Sequence, residues 1–595
     1  MFATQHRRRR FLRVVPFALA LLALAAARAP AQAPVTLVSK DANGVLGNED
    51  SYEPFATRSP ALSADDRWVA FASRATNLVS DDKYPLPDVF VRDLTANTIV
   101  RVSLDASGDD ANNGSGEPSI SADGRFVAFE SSANDIVAGD TNQEMDVFVH
   151  DRDPDGNGIF DEGNGVTTRA SVDSNGVEGN GSSSTPSISA DGRFVAFLSY
   201  SNNLDPADTT ILHDIFLHDT ATGVTSLVSI SLSGAGGNDH SLHCHLAADG
   251  NSVAFASYAS DLVPGDANQK RDVFVRDLVN GTTVLASVDS NGVQGDGESD
   301  LVPESTTRDG SSVVFWSAAG NLVASDGNGF ADVFVRDLVH GTTTCMSVDA
   351  AGAVGNGHSI FPTISGDGRY VTHQTTAASL LSGDRNHHAD VVLHDRDPDA
   401  DGVFDEDPGV NTAISTSLLA LGDADSTFPG ISDDGNLVAF LSGADNLVPA
   451  DTNGHIDVFV RDLRVAHYGA SRTNYGTGYP GTLGIPTITA ASDPLLGAPF
   501  SVDVSNSTSA SNLGYLLVGF SQASLPTGLG GTLLVQIALP LYLFPIPPLG
   551  ASLTSTLPGD IDLFGATIDL QAVEFDAGAT DGFSFTDGLE LTLGI

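Results

Sequence analysis

The sequence predicts an all-β chain: a seven-bladed β-propeller of four-stranded blades, its N-terminal strand closing the last blade, followed by a C-terminal β-sandwich. Three observations predict it. One phrase, an Asp-centred turn, a strand, an acidic loop and then a copy of DVFVRD, returns seven times along 595 residues. Each unit carries four short runs of β-branched and aromatic residues bounded by Gly, Asn or Asp. The fourth-strand phrase missing from the last unit stands in front of the first.

The period is read from the aspartates that open DVFVRD and its variants: Asp88, Asp146, Asp214, Asp272, Asp332, Asp390 and Asp457, spaced by 58, 68, 58, 60, 58 and 67 residues. The turns before them, at Asp65, Asp123, Asp191, Asp249, Asp309, Asp367 and Asp434, keep nearly the same step. Self-similarity at a fixed period means units that bury their apolar faces only against neighbours. Residues 118–173 show the unit plainly as PSIS, RFVAFESS, DVFVHDR and TTRASVD.

Radial closure is favoured over an open solenoid by the two ends of the array. The last unit runs from DVFVRDL into RVAHYGAS, which does not match TTxxSVD, whereas VTLVSKDANGVLGNEDS before the first unit aligns with TTRASVDSNGVEGNGSS. Val35 to Asp41 is therefore expected to pair into the seventh blade, which also removes exposed sheet edges. The propeller is placed at 34–463.

The pattern SxDGRxVAF followed by DVFVRD resembles the TolB-like propeller repeat of secreted bacterial proteins, in which an S-P-D-G-x-x-I-A-F segment precedes D-I-Y/W-V. The likeness spans about residues 35–463. It implies a propeller and transfers no catalytic residue. Two features depart from it: TolB is six-bladed where seven units stand here, and these units are longer.

Residues 1–33 combine a basic start, an apolar stretch from Val14 to Ala27 and the small-residue pattern Ala31-Gln32-Ala33, as an export signal does. The apolar run is too short to cross a bilayer. Arg8-Arg9-Arg10-Phe11-Leu12-Arg13 also fits the twin-arginine type, and export to the periplasm, the cell surface or the medium is the expectation. The leader holds six arginines and no acid, so 22 basic groups remain against 76 acidic ones. Such a surface repels nucleic acid and anionic membranes and attracts cations.

Residues 464–484, rich in Gly, Tyr and Thr, read as a linker. From 485 to 595 alternating runs such as PFSVDVSNS and TIDLQAVEF read as a β-sandwich. The apolar segment TLLVQIALPLYLFPIPPLG contains Pro540, Pro545, Pro547 and Pro548, which argue against a membrane helix. Cys244 and Cys345 fall on inner and outer strands of different blades, too far apart to bridge, and two free thiols are expected.

The strongest local motif follows the third strand of the second unit. Asp151, Asp153, Asp155, Asn157 and Glu162 place oxygen ligands at positions 1, 3, 5, 7 and 12 with Gly156 at the turn, as in an EF-hand loop. A near copy follows in the sixth unit as Asp395, Asp397, Asp399, Asp401 and Glu406. Clustered hard carboxylates repel unless a hard cation neutralises them, which points to structural Ca2+; a solvated acidic hairpin tip accounts for the same residues. A second acidic position recurs one loop earlier, at Asp82, Asp140, Asp208, Asp266, Asp326, Asp384 and Asp451. There, and at the strand-opening aspartates, side-chain capping of turns is the favoured reading over a weak metal site.

His213, His240, His243, His245, His358, His387, His388 and His455 fall on one propeller face, a density that permits a Zn or Cu site with His240, His243 and His245 at the channel mouth, but no compact four-ligand spacing is present and inert surface histidines are the favoured reading. No GxSxG, HExxH or Walker motif is present. The sequence therefore predicts a calcium-stabilised binding or scaffold module for a protein, peptide or glycan, with no nucleic-acid partner and no integral membrane segment. The alternative is a secreted hydrolase or lyase with its site at the channel mouth.

Overall fold

The computed structural model describes residues 35–51, 60–381, 383–399, 401–405, 408–417, 420–449, 451–464, 471–475, 479–480, 482–490, 499–508, 510–526, 532–537, 542–556, 567–580 and 583–592. Residues 1–33, where an export signal is expected, Glu406 and parts of the 464–484 segment lie outside them. Every regular element among the described residues is a β-strand. The chain divides into two compact units, Pro34–Leu463 and the residues from Arg464 onward.

The first unit holds seven four-stranded antiparallel sheets, numbered here in chain order. Sheet two is typical: Ser115–Ile120, Phe126–Ser131, Asp146–Asp151 and Val166–Arg169 pair in sequence order. Its second and third strands pair over all six residues, from Phe126 with Asp151 to Ser131 with Asp146. Alternation places one central pair of phenylalanines opposite each other, Phe129 and Phe148, with ring centroids 5.8 Å apart. Five more sheets repeat that pair at 5.7–6.0 Å; sheet six substitutes His373 opposite Val392.

Each of these sheets shares its core with the next. Val127 and Phe129 of sheet two pack with Val89 and Val91 of sheet one, and Val147 of sheet two packs with Val195 of sheet three. The series continues through sheets four, five, six and seven. It then closes, because Val458 and Val460 of sheet seven pack with Val69 and Phe71 of sheet one. Burying each phenylalanine contributes about 1.5–3 kcal/mol, so the shared cores hold the cycle together.

Sheet seven is completed from the other end of the unit. Val35–Leu37 pairs antiparallel with Asp457–Asp462, Val35 opposite Arg461 and Leu37 opposite Phe459.

The turn that begins each phrase is fixed by its own side chains. Asp123 accepts from Ser121 Oγ at 2.8 Å and from the Arg125 amide at 3.0 Å. Gly124 follows at φ +76°, where a Cβ would run into the Trp68 ring of the preceding sheet. Arg125 then forks onto Asp151, 2.8 Å to each carboxylate oxygen, tying the turn to the end of the third strand. Arg67–Asp93, Arg193–Asp219 and Arg369–Asp395 repeat the tie.

In the second unit, Ser471–Tyr475, Asn512–Pro526, Thr532–Ile537, Tyr542–Ile546, Thr567–Phe575, Phe583–Phe585 and Gly588–Thr592 form one antiparallel sheet. Ile488–Ala490, Pro499–Val504 and Ala551–Thr556 form another. The linker reading of 464–484 is corrected here. Ser471–Tyr475 is a strand paired with Gly588–Thr592, and its Thr and Tyr favour that pairing more than a free connection. The apolar run after residue 531 supplies two strands, both paired with Asn512–Pro526. Among the described residues no helix is long and apolar enough to cross a membrane.

Candidate metal centres

In every sheet the strand-opening aspartate is buried and accepts from a serine hydroxyl. Asp146 accepts from Ser171 Oγ at 2.5 Å and from Asn142 Nδ2 at 2.9 Å. Asn268, Asn328, Asn386 and Asn453 make the same bond to Asp272, Asp332, Asp390 and Asp457. The donors are side chains, where the capping reading expected backbone amides; the amide cap falls to Asn142, whose Oδ1 accepts from the Glu144 amide at 2.9 Å. Burial raises these carboxyls above the ordinary value, to about 6 at Asp88, Asp272, Asp332 and Asp390.

The loop aspartates one step earlier turn toward the same place. Asp82, Asp88 and Asp110 present oxygens within 4.8 Å of one another, a group that sequence reasoning did not single out. Its signal was Arg101 in the fourth strand, whose guanidinium reaches all three.

In the loop after sheet two, both oxygens of Asp151 are engaged by Arg125, which neutralises the first EF-hand position. Asp153 is buried and accepts the amides of Asn157 and Gly158 at 3.0 and 2.9 Å. Asn157 Nδ2 donates to Asp155 at 3.2 Å and to Glu162 at 2.8 Å, so one side chain gathers positions 5, 7 and 12. Asp161 pairs with Arg152 at 2.5 Å. In the loop after sheet six, Asp395 pairs with Arg369 and Asp405 with Arg396. Asp397, Asp399 and Asp401 remain and converge, with oxygens within 4.8 Å of one another. Hard carboxylate oxygens at that density suit Ca2+ in preference to softer metals.

The histidines weighed as a soft-metal site each have a partner of their own. His240 stacks edge-on against His213, 4.2 Å between ring centroids. His243 Nδ1 lies 3.0 Å from Asp300 Oδ1, and His245 Nδ1 accepts the Glu304 amide at 3.0 Å. Alternation along Ser241–Leu246 and a register shift between Ser241 and Cys244 send the three rings to different partners, so they share no ligand sphere. Burial opposes protonation of His243, but the Asp300 carboxylate prevails and its pKa is raised.

One cavity, of about 160 Å³, is lined by residues of every repeat, among them Leu62, Ile120, Ile188, Leu246, Glu304, Ile364 and Ile431. Polar groups at its wall engage one another: Glu304 accepts the Ile431 amide at 2.9 Å, and Arg308 pairs with Asp433.

No family model matches the chain, and no curated protein matches it. Among solved structures, a TolB-type protein of Agrobacterium tumefaciens is similar over 50% of this chain and 87% of its own, at 15% identity and a TM-score of 0.29. The WD40 repeats of RRP9 are similar over 73% of this chain and 99% of theirs, at 10% identity and a TM-score of 0.36. The repeat is of the propeller type. That statement rests on the four-stranded sheets and their cyclic shared cores.

Proposed function

We propose that the chain is an exported, acidic, seven-bladed β-propeller with a C-terminal β-sandwich, working as a calcium-stabilised binding or scaffold module. The observation that carries the calcium reading is the convergence of Asp397, Asp399 and Asp401 in the sixth-sheet loop, with the neighbouring acids Asp395 and Asp405 already neutralised by arginine. The loop at Asp153, Asp155, Asn157 and Glu162 is the second site, its ligands gathered by Asn157. Support for the seven-bladed ring comes from the pairing of Val35–Leu37 into sheet seven and from the cavity that all seven repeats line.

A binding role fits the narrow cavity and the self-paired polar groups at its wall, because substrate-enclosing pockets commonly run from about 300 to 1,000 Å³. The partner's chemistry follows from charge: with 76 acids against 28 basic groups, a neutral or cationic protein, peptide or glycan is accepted where nucleic acid is repelled. Heat denaturation of chelator-treated and calcium-loaded protein, followed by peptide and glycan arrays with the loaded form, tests both halves. Calcium should raise the melting temperature, and array hits should be neutral or basic. An identical melting curve in both states removes calcium from the reading.

A further inference from the structure

Sheets one, two and four answer one electrostatic problem with a donor at the same place, and sheet three has no donor there. In each, a loop aspartate faces the strand-opening aspartate. Two further positions look onto that pair: the fourth-strand residue opposite the third-strand Phe or Val, and a residue bridged to the chain just after that strand. In sheet one these are Arg101 and Asp110, and the guanidinium lies 3.7 Å from Asp82, 3.4 Å from Asp88 and 2.8 Å from Asp110. In sheet two they are Arg169 and Glu178, with contacts of 3.2 Å to Asp140, 3.6 Å to Asp146 and 2.5 Å to Glu178. Sheet four uses a neutral donor: Gln294 Nε2 bridges Asp266 at 2.7 Å and Asp272 at 2.9 Å.

In sheet three the arginine position is Leu227 and the bridging position is Gly236. The asparagine that donates to the strand-opening aspartate in other sheets is Thr210, which bonds Asp208 Oδ1 instead. Asp214 Oδ1 takes the Ser229 hydroxyl. Asp208 Oδ2 and Asp214 Oδ2 are then left buried without a hydrogen-bond partner, in residues only 4% and 0% exposed. Both carboxyls point at the space Gly236 leaves open: a Cβ there would sit 3.0 Å from Asp214 Oδ2 and 3.6 Å from Asp208 Oδ1.

Two buried carboxylates cannot both stay ionised side by side without a compensating charge. We propose that a hard divalent cation, Ca2+ in the first instance, is held between Asp208 and Asp214 in sheet three, in the place a guanidinium fills in sheets one and two. The polar atoms nearest that place are the carboxylate oxygens of Asp214 and Asp208, and Ca2+ accepts irregular sets of carboxylate, hydroxyl and carbonyl oxygens. Burial first, with the charge of Asp208 adding to it, pushes the Asp214 carboxyl up to about 7, so the competing solution is a shared proton. The site is separate from the two acidic loops and stands or falls without them.

Calorimetric titration of the chelator-treated full chain with CaCl2 tests it, comparing the parent with Gly236→Gln, Asp208→Asn and a loop control, Asp397→Asn with Asp399→Asn. Gly236→Gln installs the donor that sheet four uses, so it should fold while losing one equivalent of bound Ca2+. Asp208→Asn should lose the same equivalent. The loss should persist in the loop-control background, whether or not the loops bind calcium. Equal stoichiometry in the parent, Gly236→Gln and Asp208→Asn overturns the proposal and leaves a shared proton as the answer.

Discussion

Ser39 Oγ donates to Asp457 Oδ1 at 2.5 Å, joining residues 418 positions apart. The same bond is local in other sheets, as Ser171 to Asp146 or Ser287 to Asp272. Only in sheet seven does it depend on the two ends of the Pro34–Leu463 unit meeting. Ser39→Ala should therefore cost about as much as Ser171→Ala, roughly 1–3 kcal/mol for a buried acceptor losing its donor. Equilibrium denaturation in urea measures both. A cost at Ser171 with none at Ser39 would refute the view that ring closure contributes to stability.

Neither cysteine forms a disulfide, and both are buried. Burial pushes the Cys345 thiol up to about 12, and Cys244 Sγ lies 3.8 Å from the Thr185 carbonyl oxygen. A disulfide-exchange reagent at pH 8 should therefore find no fast-reacting thiol in the native protein, because the attacking species is the exposed thiolate. It should find two after denaturation without reductant. Rapid labelling of the native state would mean that one of the sheets opens readily.

The repeated four-stranded sheets were legible because repetition multiplies weak signals. One DVFVRD alone is an ambiguous apolar run, but seven at a near-constant step, with Val35–Leu37 displaced to the front, leave little freedom. The acidic loops were legible as clusters, but their arginine partners were not. Arg125 to Asp151 and Arg369 to Asp395 span 26 residues, and only the strand register brings them together. The Asp208–Asp214 pair was hidden for a related reason: the decisive residues there are Leu227 and Gly236, which matter for the side chains they lack. In the second unit, Ser471–Tyr475 carries too short a pattern to reveal a partner more than a hundred residues away.

The sixth-sheet loop gives the sharpest test of the calcium reading. Asp397→Asn with Asp399→Asn removes two charges from the converging trio and leaves the Arg369–Asp395 and Arg396–Asp405 pairs in place. If only the folded state binds, ligand at a hundredfold above its dissociation constant adds about 2.7 kcal/mol per site. The double variant should lose roughly that increment in calcium and nothing in chelator, where relief of repulsion should instead stabilise it slightly. Magnesium should substitute poorly, since it demands tighter octahedral geometry. Equal calcium dependence of parent and variant returns this loop to a solvated turn.

His373 occupies the place that phenylalanine takes in the other six sheets. It is fully buried, and neither ring nitrogen has a hydrogen-bond partner. Burial, with the neighbouring His394 adding to it, depresses its pKa to about 3. The folded value lies below the unfolded one near 6.5, so the unfolded chain takes up the proton first as pH falls. The group's contribution is thus intact above pH 6.5 and lost progressively below it, by about 2 kcal/mol at pH 5. His373→Phe should remove that loss and stabilise the protein at neutral pH as well, because an unsatisfied buried polar group is replaced by an apolar ring. Space is available: the cross-strand partner is Val392, smaller than the phenylalanine found opposite in the sister sheets. Denaturation at pH 5 and pH 8 should show the variant's advantage growing toward acid. An advantage that stays constant between the two would mean that His373 takes up its proton in the fold as readily as in the unfolded chain.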